Sequence, residues 1–207
     1  MGRPALADRR PYDRDQVVDA AVRAFVSRGY DATTMADVAA ALGIHKSSLY
    51  HHVGGKEELL EIALRRALDA LLAVLAEPCA VEGRAVGRLE HVVRRTVAIM
   101  VERLPEVTVL LRIRGATPAE TWALERRRAF DRAVEAIVAQ AVEDGDVRSD
   151  IEPALATRLV FGMSNSVTEW FQAGGRLRAE SLADAVATIA LSGLRAPPPL
   201  SRSVRRP

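Results

Sequence analysis

Basic, hydroxyl and imidazole side chains are concentrated in a short stretch of the chain that has no carboxylates. Residues 38–56 contain both lysines of the protein, Lys46 and Lys56, and no Asp or Glu. Three of the four histidines lie in the same stretch: His45, His51 and His52. Such side chains, without carboxylates beside them, are the groups that contact phosphates and base edges. The stretch is therefore a candidate surface for binding nucleic acid.

The spacing around Gly43 is typical of two short helices joined by a tight turn. Glycine tolerates the left-handed backbone that ends a helix, and Ala39, four residues earlier, is small enough for two helices to cross closely. Apolar residues occupy the positions that such a crossing buries: Val38, Leu42, Ile44 and Leu49. The pattern predicts a helix-turn-helix, whose second helix enters the major groove of DNA.

The exposed face of that second helix, predicted from about Lys46 to His52, supplies the groups that would read DNA. A small serine lets the backbone approach the groove, while lysine, tyrosine and histidine reach phosphates or base edges. Two threonines start the preceding helix, where open N–H groups favour an anion, and a lysine starts the following helix. We predict eight DNA-contacting residues: Thr33, Thr34, Lys46, Ser47, Ser48, Tyr50, His51 and Lys56.

Start and stop signals predict an all-α chain of about nine helices. Asp13 with Gln16, and Thr34 with Asp37, have the form of capping boxes, and Thr117 precedes a proline at a first helical position. No strand alternation of useful length is present. The predicted helices cover about residues 13–28, 34–42, 46–52, 56–77, 84–104, 106–114, 117–144, 153–172 and 180–192.

These helices group into a small N-terminal domain and a larger C-terminal domain, with a hinge predicted over residues 76–83. A basic arm precedes the first helix, and a tail of proline and arginine with nothing to bury follows the last. We predict a flexible arm (1–11), a helix-turn-helix domain (12–56), a connecting helix (57–77), a ligand-binding and dimerisation domain (84–195) and a disordered tail (196–207).

The composition limits the class of protein. With 49% hydrophobic and 4% aromatic residues among 207, the chain is globular and favours helices packed through aliphatic side chains. A net charge of +2 gives little overall attraction to nucleic acid, so DNA contact must come from local arrangement. Cys79 is the single cysteine, and no apolar run reaches the ~18 residues of a membrane span. We expect a soluble cytoplasmic protein without a membrane partner.

The N-terminal stretch resembles the DNA-binding domain of the tetracycline-repressor (TetR) family of bacterial transcription regulators. The likeness covers about residues 12–60 and rests on Gly29-Tyr30, Thr33-Thr34, Val38-Ala39, Leu42-Gly43-Ile44, Leu49-Tyr50-His51-His52 and Lys56-Glu57-Glu58-Leu59. Three residues depart from the family pattern. His45 replaces a capping serine, Ser47 replaces a frequent glycine, and Val53 replaces an aromatic residue. These departures affect which operator is read, not the fold.

The resemblance implies a homodimeric regulator, foremost a repressor, that binds a palindromic operator and is released by a small-molecule effector. Its C-terminal domain would enclose a ligand pocket and dimerise through the last two long helices. The helix predicted over 153–172 supports this, because it has more apolar residues than one surface face holds. Aromatic, methionine and polar side chains give nine predicted ligand-binding residues: Met100, Leu104, Leu111, Trp122, Arg126, Phe130, Met163, Asn165 and Trp170.

Two effector chemistries stay open. The segment from Phe161 to Asn165, with Trp170 and residues 174–177, resembles TetR regulators that sense acyl-CoA thioesters. The alternative is a hydrophobic drug-like ligand, as in TetR-like regulators of drug efflux. The basic run 126–128 has two interpretations, a solvated helix face or a contact with a phosphate of a large anionic ligand.

Other classes of function lack a motif. No Cys–His or Ser–His–Asp set has catalytic spacing, and no glycine-rich phosphate loop is present, which argues against a helical-bundle enzyme. His51 and His52 point in different helical directions, and no Cys or carboxylate completes a metal site. We expect no catalytic residue, metal or cofactor. An interaction module that has lost DNA binding is the third class, and the intact reading face argues against it.

Overall fold

The structure, a computed structural model, describes residues 12–195, and this part of the chain is all-α as predicted. It contains eleven helices, and an isolated bridge between Val147 and Arg195 is its one β-type pairing. The predicted arm (1–11) and tail (196–207) lie outside the described residues. The helices are α1 Arg14–Arg28, α2 Met35–Leu42, α3 Lys46–Leu49, α4 Lys56–Val74, α5 Pro78–Val81, α6 Ala85–Glu102, α7 Leu104–Arg112, α8 Pro118–Glu143, α9 Pro153–Asn165, α10 Val167–Trp170 and α11 Ala179–Leu194.

The chain packs into two compact units. The N-terminal unit combines residues 12–67 with 105–123, and the C-terminal unit combines residues 68–104 with 124–195. Most of α7 and the start of α8 therefore belong to the N-terminal unit, although we predicted a single ligand-binding domain over 84–195. The functional boundaries within the chain stay a prediction.

The first two helices of the N-terminal unit begin with the predicted capping boxes. Asp13 Oδ1 accepts a hydrogen bond from the Gln16 N–H at 2.8 Å, and Thr34 Oγ1 accepts one from the Asp37 N–H at 3.2 Å. The reciprocal side-chain bonds to the two cap residues are also present. Each box satisfies N–H groups that the first turn of a helix leaves open, so these helix starts are specified locally.

Gly43 ends α2 and turns the chain into α3. Its backbone is left-handed, with φ 65°. The Gly43 N–H bonds to the Ala40 carbonyl at 3.1 Å, and the Ile44 N–H bonds to the Ala39 carbonyl at 3.0 Å. These two bonds form a Schellman C-cap, which reverses the chain at once. Leu49 is then fully buried, which stabilises the helix pair by about 2 kcal/mol.

The C-terminal unit is held together by aliphatic and small side chains. α11 packs most extensively against α6, α5 packs on α6, and α9 contacts both α6 and α11. The buried face of α6 repeats at helical spacing: Leu89, Val92, Val93, Thr96, Val97 and Met100. Between residues 12 and 195, no helix is both long and apolar enough to cross a membrane.

Two predicted boundaries in the C-terminal unit are wrong. The predicted hinge over 76–83 contains α5, because Pro78 at the first helical position has a preset backbone and needs no hydrogen bond there. The helix predicted over 153–172 is interrupted at Ser166, which separates α9 from α10. Hydroxyl side chains bond to nearby carbonyls in this segment, as Ser166 Oγ does to Met163 at 2.7 Å, and such bonds compete with the helical pattern.

Two further predicted helices differ at their ends. The reading helix was predicted to reach His52, but α3 ends at Leu49 and continues as a turn, in which the His52 N–H bonds to the Leu49 carbonyl at 2.9 Å. Pro105 was predicted to separate two helices and instead lies in the first turn of α7. Proline is tolerated there because first-turn N–H groups have no helical partner.

Candidate nucleic-acid interface and ligand cavity

The segment starting at α3 exposes its polar side chains and buries its apolar ones. Lys46, Ser47 and His51 are exposed, Ser48 is half-buried, and Tyr50 has half of its surface in solvent. Leu49 and Val53 instead belong to the core. His45 caps α3 without a side-chain hydrogen bond. Five of the eight predicted DNA contacts thus lie together on one solvent-facing segment.

The two threonines predicted to contact phosphate are bonded inside the protein. Thr33 is 1% exposed, and its hydroxyl donates to the Gly29 carbonyl at 2.7 Å. The Thr34 hydroxyl donates to Asp37 Oδ2 at 2.6 Å, and Arg28 pairs with the same carboxylate. This bonding lowers the pKa of Asp37, with the Thr34 hydroxyl as its main cause. The Thr33 hydroxyl thus bonds to the end of α1, the Thr34 hydroxyl caps α2, and the Asp37 carboxylate disfavours an anion beside Thr34.

Lys56, a further predicted phosphate contact, is also held within the unit. Its Nζ donates to the Tyr30 carbonyl at 3.0 Å and lies 4.3 Å from the centre of the Tyr30 ring. That ring packs edge-on against Phe25, with 5.2 Å between the centres. Lys56 therefore ties the start of α4 to the α1–α2 loop. The sequence pattern could not reveal this role, because the partners lie 26 residues apart.

The C-terminal unit contains an open cavity of 430 Å³ between α8 and α9. Its wall combines charged, polar and aromatic side chains, including Arg127, Asp131, Thr157, Arg158, Phe161 and Asn165. Such a mixture of apolar surface and a few polar groups is typical of sites for small molecules.

Two groups in this cavity are unusual. Thr157 is 4% exposed, yet its hydroxyl has no hydrogen-bond partner among the described residues. A buried hydroxyl without a partner costs about 1–3 kcal/mol, so a ligand that bonds to it recovers that cost. Burial raises the pKa of Asp131, while the nearby Arg127 and Arg158 lower it. The wall of the cavity thus contains a buried, unsatisfied hydroxyl in the same lining as two arginines.

One of the nine predicted ligand-binding residues, Asn165, lines this cavity. Phe130 lies behind its wall, with its ring centre 5.4 Å from that of Phe161. Leu111 and Trp122 belong to the N-terminal unit. There the guanidinium of Arg65 lies 4.4 Å from the centre of the Trp122 ring. The nine residues therefore do not surround a single cavity.

The other predicted ligand residues lie in the core or at the surface of the C-terminal unit. Met100 is a core residue, and Leu104 and Met163 are half-buried. Arg126 is exposed, because α8 turns its neighbour Arg127 toward the cavity. Trp170 is 53% exposed, because the chain has left the line of α9 before reaching it. The inward orientation predicted for Arg126 and Trp170 is therefore wrong.

The cavity residues of α9 share one face of that helix, and the predicted ligand-binding set included only Asn165 among them. Ala154, Thr157, Arg158, Phe161 and Asn165 follow one another at spacings of one, three or four residues, which places them on one helical face. This periodic signal was present in the sequence. The facing residues of α8 could not be paired with it, because only the folded chain brings the two helices together.

Two family models match the chain. The model described as "Bacterial regulatory proteins, tetR family" matches residues 17–63, which include the helix-turn-helix. The model described as "Tetracyclin repressor-like, C-terminal domain" matches residues 82–194, more than half of the chain. The chain belongs to the TetR family. It is a DNA-binding transcriptional regulator, and the resemblance found in the sequence is confirmed.

Individual relatives support this assignment, and their alignments cover most of this chain and most of their own. The crystal structure of a TetR-family regulator from Streptomyces coelicolor A3 aligns with this chain at a TM-score of 0.82 and 47% sequence identity. The alignment covers 94% of this chain and 95% of that regulator. The repressor KstR2 from Rhodococcus jostii (strain RHA1) is 29% identical over 89% of this chain and 92% of its own.

A third relative carries both kinds of ligand expected of a TetR regulator. The crystal structure of AibR contains isovaleryl coenzyme A and operator DNA. It is 25% identical to this chain, covers 85% of it and 96% of its own chain, and has a TM-score of 0.71. These ligands belong to AibR.

Proposed function

We propose that this TetR regulator is a cytoplasmic repressor that binds a palindromic operator as a homodimer and is released by an acyl-CoA thioester. The named relative KstR2 is a repressor, and AibR holds an acyl-CoA together with operator DNA. The observation that carries the proposal is a complete helix-turn-helix whose second helix, α3, exposes its polar side chains to solvent. The proposal assigns the chain no catalytic step.

The proposed DNA contacts are the five predicted residues that the fold leaves exposed or half-buried: Lys46, Ser47, Ser48, Tyr50 and His51. Lysine supplies charge for a phosphate, and tyrosine offers a hydroxyl for a phosphate or a ring for a thymine methyl. Thr33, Thr34 and Lys56 are left out of direct contact, because their polar groups already have partners in the protein. They position the segment instead.

The homodimer is proposed to form through α9 and α11, which pack against each other. Their outer faces expose Leu155, Leu159 and Ile189, with Leu159 and Ile189 about 60% exposed. A second copy of this surface would bury these side chains in a two-fold four-helix interface. Such a dimer presents two reading segments to successive major grooves, about 34 Å apart on the operator.

The effector is proposed to bind in the cavity between α8 and α9. Arg127 and Arg158 suit the phosphates of coenzyme A, Phe161 offers apolar surface, and Thr157 has a hydroxyl that lacks a partner. The cavity face of α9 adjoins the face that exposes Leu155. Ligand binding can therefore alter dimer packing, to the extent that the ligand prefers one dimer arrangement over the other.

A cationic drug-like effector is the second candidate, because Asp131 and Glu135 also line the cavity. Arg127 and Arg158 in the same lining argue against it, because their positive charges repel a cation. The two candidates differ in the charge they require of the ligand, so charged probes distinguish them.

The DNA contacts are tested with the double substitution Lys46→Ala and Tyr50→Ala. Each lost charged or polar contact costs about 1.5 kcal/mol, so the homodimer should bind its upstream DNA more than about a hundredfold more weakly. Fluorescence anisotropy measures this, with circular dichroism to confirm folding. The control substitution is Arg23→Ala, an exposed arginine on α1. Unchanged affinity in the double variant would mean that the assigned contacts are wrong.

The effector is tested by releasing bound operator with isovaleryl coenzyme A or with ethidium, a cationic drug-like probe. Arg127→Gln should raise the thioester concentration needed for release at least tenfold. Arg126→Gln is the matched control, because the neighbouring arginine faces solvent. Release by ethidium alone supports the drug-like class. Thioester release that is unaffected by Arg127→Gln contradicts the assigned cavity.

A further inference from the structure

A second cavity, of 390 Å³, lies within the N-terminal unit between the α1–α2 and α7–α8 loops. Its lining includes apolar side chains of four elements: Phe25, Leu60, Val109 and Ile113. None of its residues lines the effector cavity, which belongs to the C-terminal unit. Any ligand bound here would therefore occupy a separate site.

Both walls of this cavity are held in place by internal bonds. On the α8 side, Glu120 Oε2 accepts N–H bonds at 3.0, 2.7 and 2.9 Å from Arg114, Gly115 and Ala116. On the α1 side, the Tyr30 ring packs against Phe25 and beneath Lys56. A cavity with such fixed walls needs little ordering when a ligand binds, which favours affinity.

Two arginines at the cavity, Arg112 and Arg114, are exposed, and neither forms an ion pair within residues 12–195. Arg112 Nη1 donates to the Val26 carbonyl at 2.8 Å, which leaves its charge uncompensated. Among the acidic groups, the Glu120 carboxylate already accepts three N–H bonds, and Asp31 is exposed. The cavity therefore has two guanidiniums without an ion pair in the described part of the chain, beside the carboxylates of Asp31 and Glu120, and these guanidiniums are its charged hydrogen-bond donors.

Tyr30 adds a hydrogen-bond donor to the same cavity. Burial raises the pKa of its hydroxyl, and the carboxylates of Glu57, Glu120 and Asp31 raise it further. The hydroxyl therefore keeps its proton at neutral pH and can donate to an anionic oxygen.

We propose that this cavity is a second ligand site, which binds a small carboxylate with an apolar body. The apolar lining takes the body, and an arginine fork matches the two oxygens of a carboxylate. The nearby Asp31 disfavours ligands with several negative charges, so a monoanion fits better than a phosphate ester. The site contacts both the α1–α2 loop and the start of α8, so occupancy stabilises the N-terminal unit.

The test is a calorimetric titration of the full chain with octanoate, in the absence of DNA. We expect saturable binding in the millimolar range, at least fivefold tighter than that of octan-1-ol, which lacks the charge, or of propionate, which lacks the apolar body. Saturable octanoate binding should also raise the melting temperature. Because no operator or thioester is present, the result does not depend on the repressor proposal.

Substitutions locate the bound octanoate. Arg114→Gln keeps the backbone N–H that bonds to Glu120 but removes the charge, and it should weaken binding at least fivefold. Ile113→Trp, which fills the cavity, should weaken it further. Arg126→Gln, at an exposed arginine outside the cavity, should bind as the parent does.

Three results would overturn the proposal. They are the absence of saturable octanoate binding, parent-like binding by both Arg114→Gln and Ile113→Trp, and loss of binding in Arg127→Gln, which would place the octanoate in the effector cavity. Circular dichroism of each variant ensures that a loss of binding is not a loss of fold.

Discussion

The two units of this regulator differ in how completely they satisfy their own polar and apolar groups. In the N-terminal unit, capping boxes start α1 and α2, and Thr33 and Lys56 bond to backbone carbonyls. In the C-terminal unit, α6, α9 and α11 begin without a side-chain cap bond. That unit also contains two buried hydroxyls without a partner among the described residues, those of Thr96 and Thr157, and exposes leucines on α9.

The difference fits what each unit is proposed to recognise. A DNA-reading segment needs a rigid support, so the polar groups around it are bonded within the unit and its contacts face solvent. A unit that binds an effector and a second protomer needs polar groups and apolar side chains that have no partner within the unit itself. An unsatisfied group that also lines a cavity, as Thr157 does, therefore favours binding, whereas bonded groups in the N-terminal unit favour a positioning role.

The largest expected effect tests the rigid support. Leu64 in α4 is fully buried in the N-terminal unit, and Leu64→Ala should lower the free energy of unfolding by about 3 kcal/mol. Urea denaturation at a fixed protein concentration measures the change. Val81→Ala, at a side chain that is 55% exposed, should change it by less than about 0.5 kcal/mol. Equal losses in the two variants would contradict the assigned burial.

The next effect tests the proposed protomer interface. Leu159→Glu places a charge on the apolar face of α9, and burying it without a partner should weaken dimerisation by about 2 kcal/mol, or thirtyfold. Analytical ultracentrifugation measures the dissociation constant. Val81→Glu adds the same charge at another exposed aliphatic residue and should leave the dimer intact. If only Val81→Glu dissociated the protein, the interface would lie on α5 instead.

A smaller effect tests the unsatisfied Thr157 hydroxyl, because removing it should raise stability but weaken the response to the effector. Thr157→Val removes the unpaired group at nearly constant volume, so the ligand-free protein should become more stable by about 1 kcal/mol. The same change should weaken thioester-induced operator release, because the ligand loses a partner. Thr96→Val is the matched control, since its hydroxyl is also buried without a partner but lies outside the cavity. If Thr96→Val also lost the effector response, the effect could not be assigned to a contact between the ligand and Thr157.

The smallest effect concerns the acid sensitivity of the N-terminal unit. The Thr34 hydroxyl, the Thr34 N–H and Arg28 hold the pKa of Asp37 below its ordinary value. A lowered pKa stabilises the fold above the unfolded-state pKa of about 4, and this contribution is lost as pH falls through the folded-state pKa. Asp37→Asn should therefore flatten the dependence of melting temperature on acid pH. Asp31→Asn serves as control, and an equal flattening there would contradict the assignment.

Much of the N-terminal unit could be predicted because its signals are local. The bonds around Thr34 and Gly43 join residues at most five positions apart, so residue types and spacing were enough to predict the caps and the turn. The break at Ser166 was missed because its hydroxyl chemistry competes with an otherwise helical pattern. Most of the ligand candidates do not line the cavity between α8 and α9, because apolar periodicity marks a buried face without showing which element packs against it.

By itself the sequence determined an all-α chain, the helix-turn-helix and the exposed segment from Lys46 to His51, since backbone hydrogen bonds and caps act over a few residues. The tertiary structure decided the role of Lys56, the grouping of residues 105–123 with the N-terminal unit and the pairing of α8 with α9 around Thr157. Each of these depends on side chains distant in sequence. Their meeting follows from the packing of the whole fold, which local spacing does not encode.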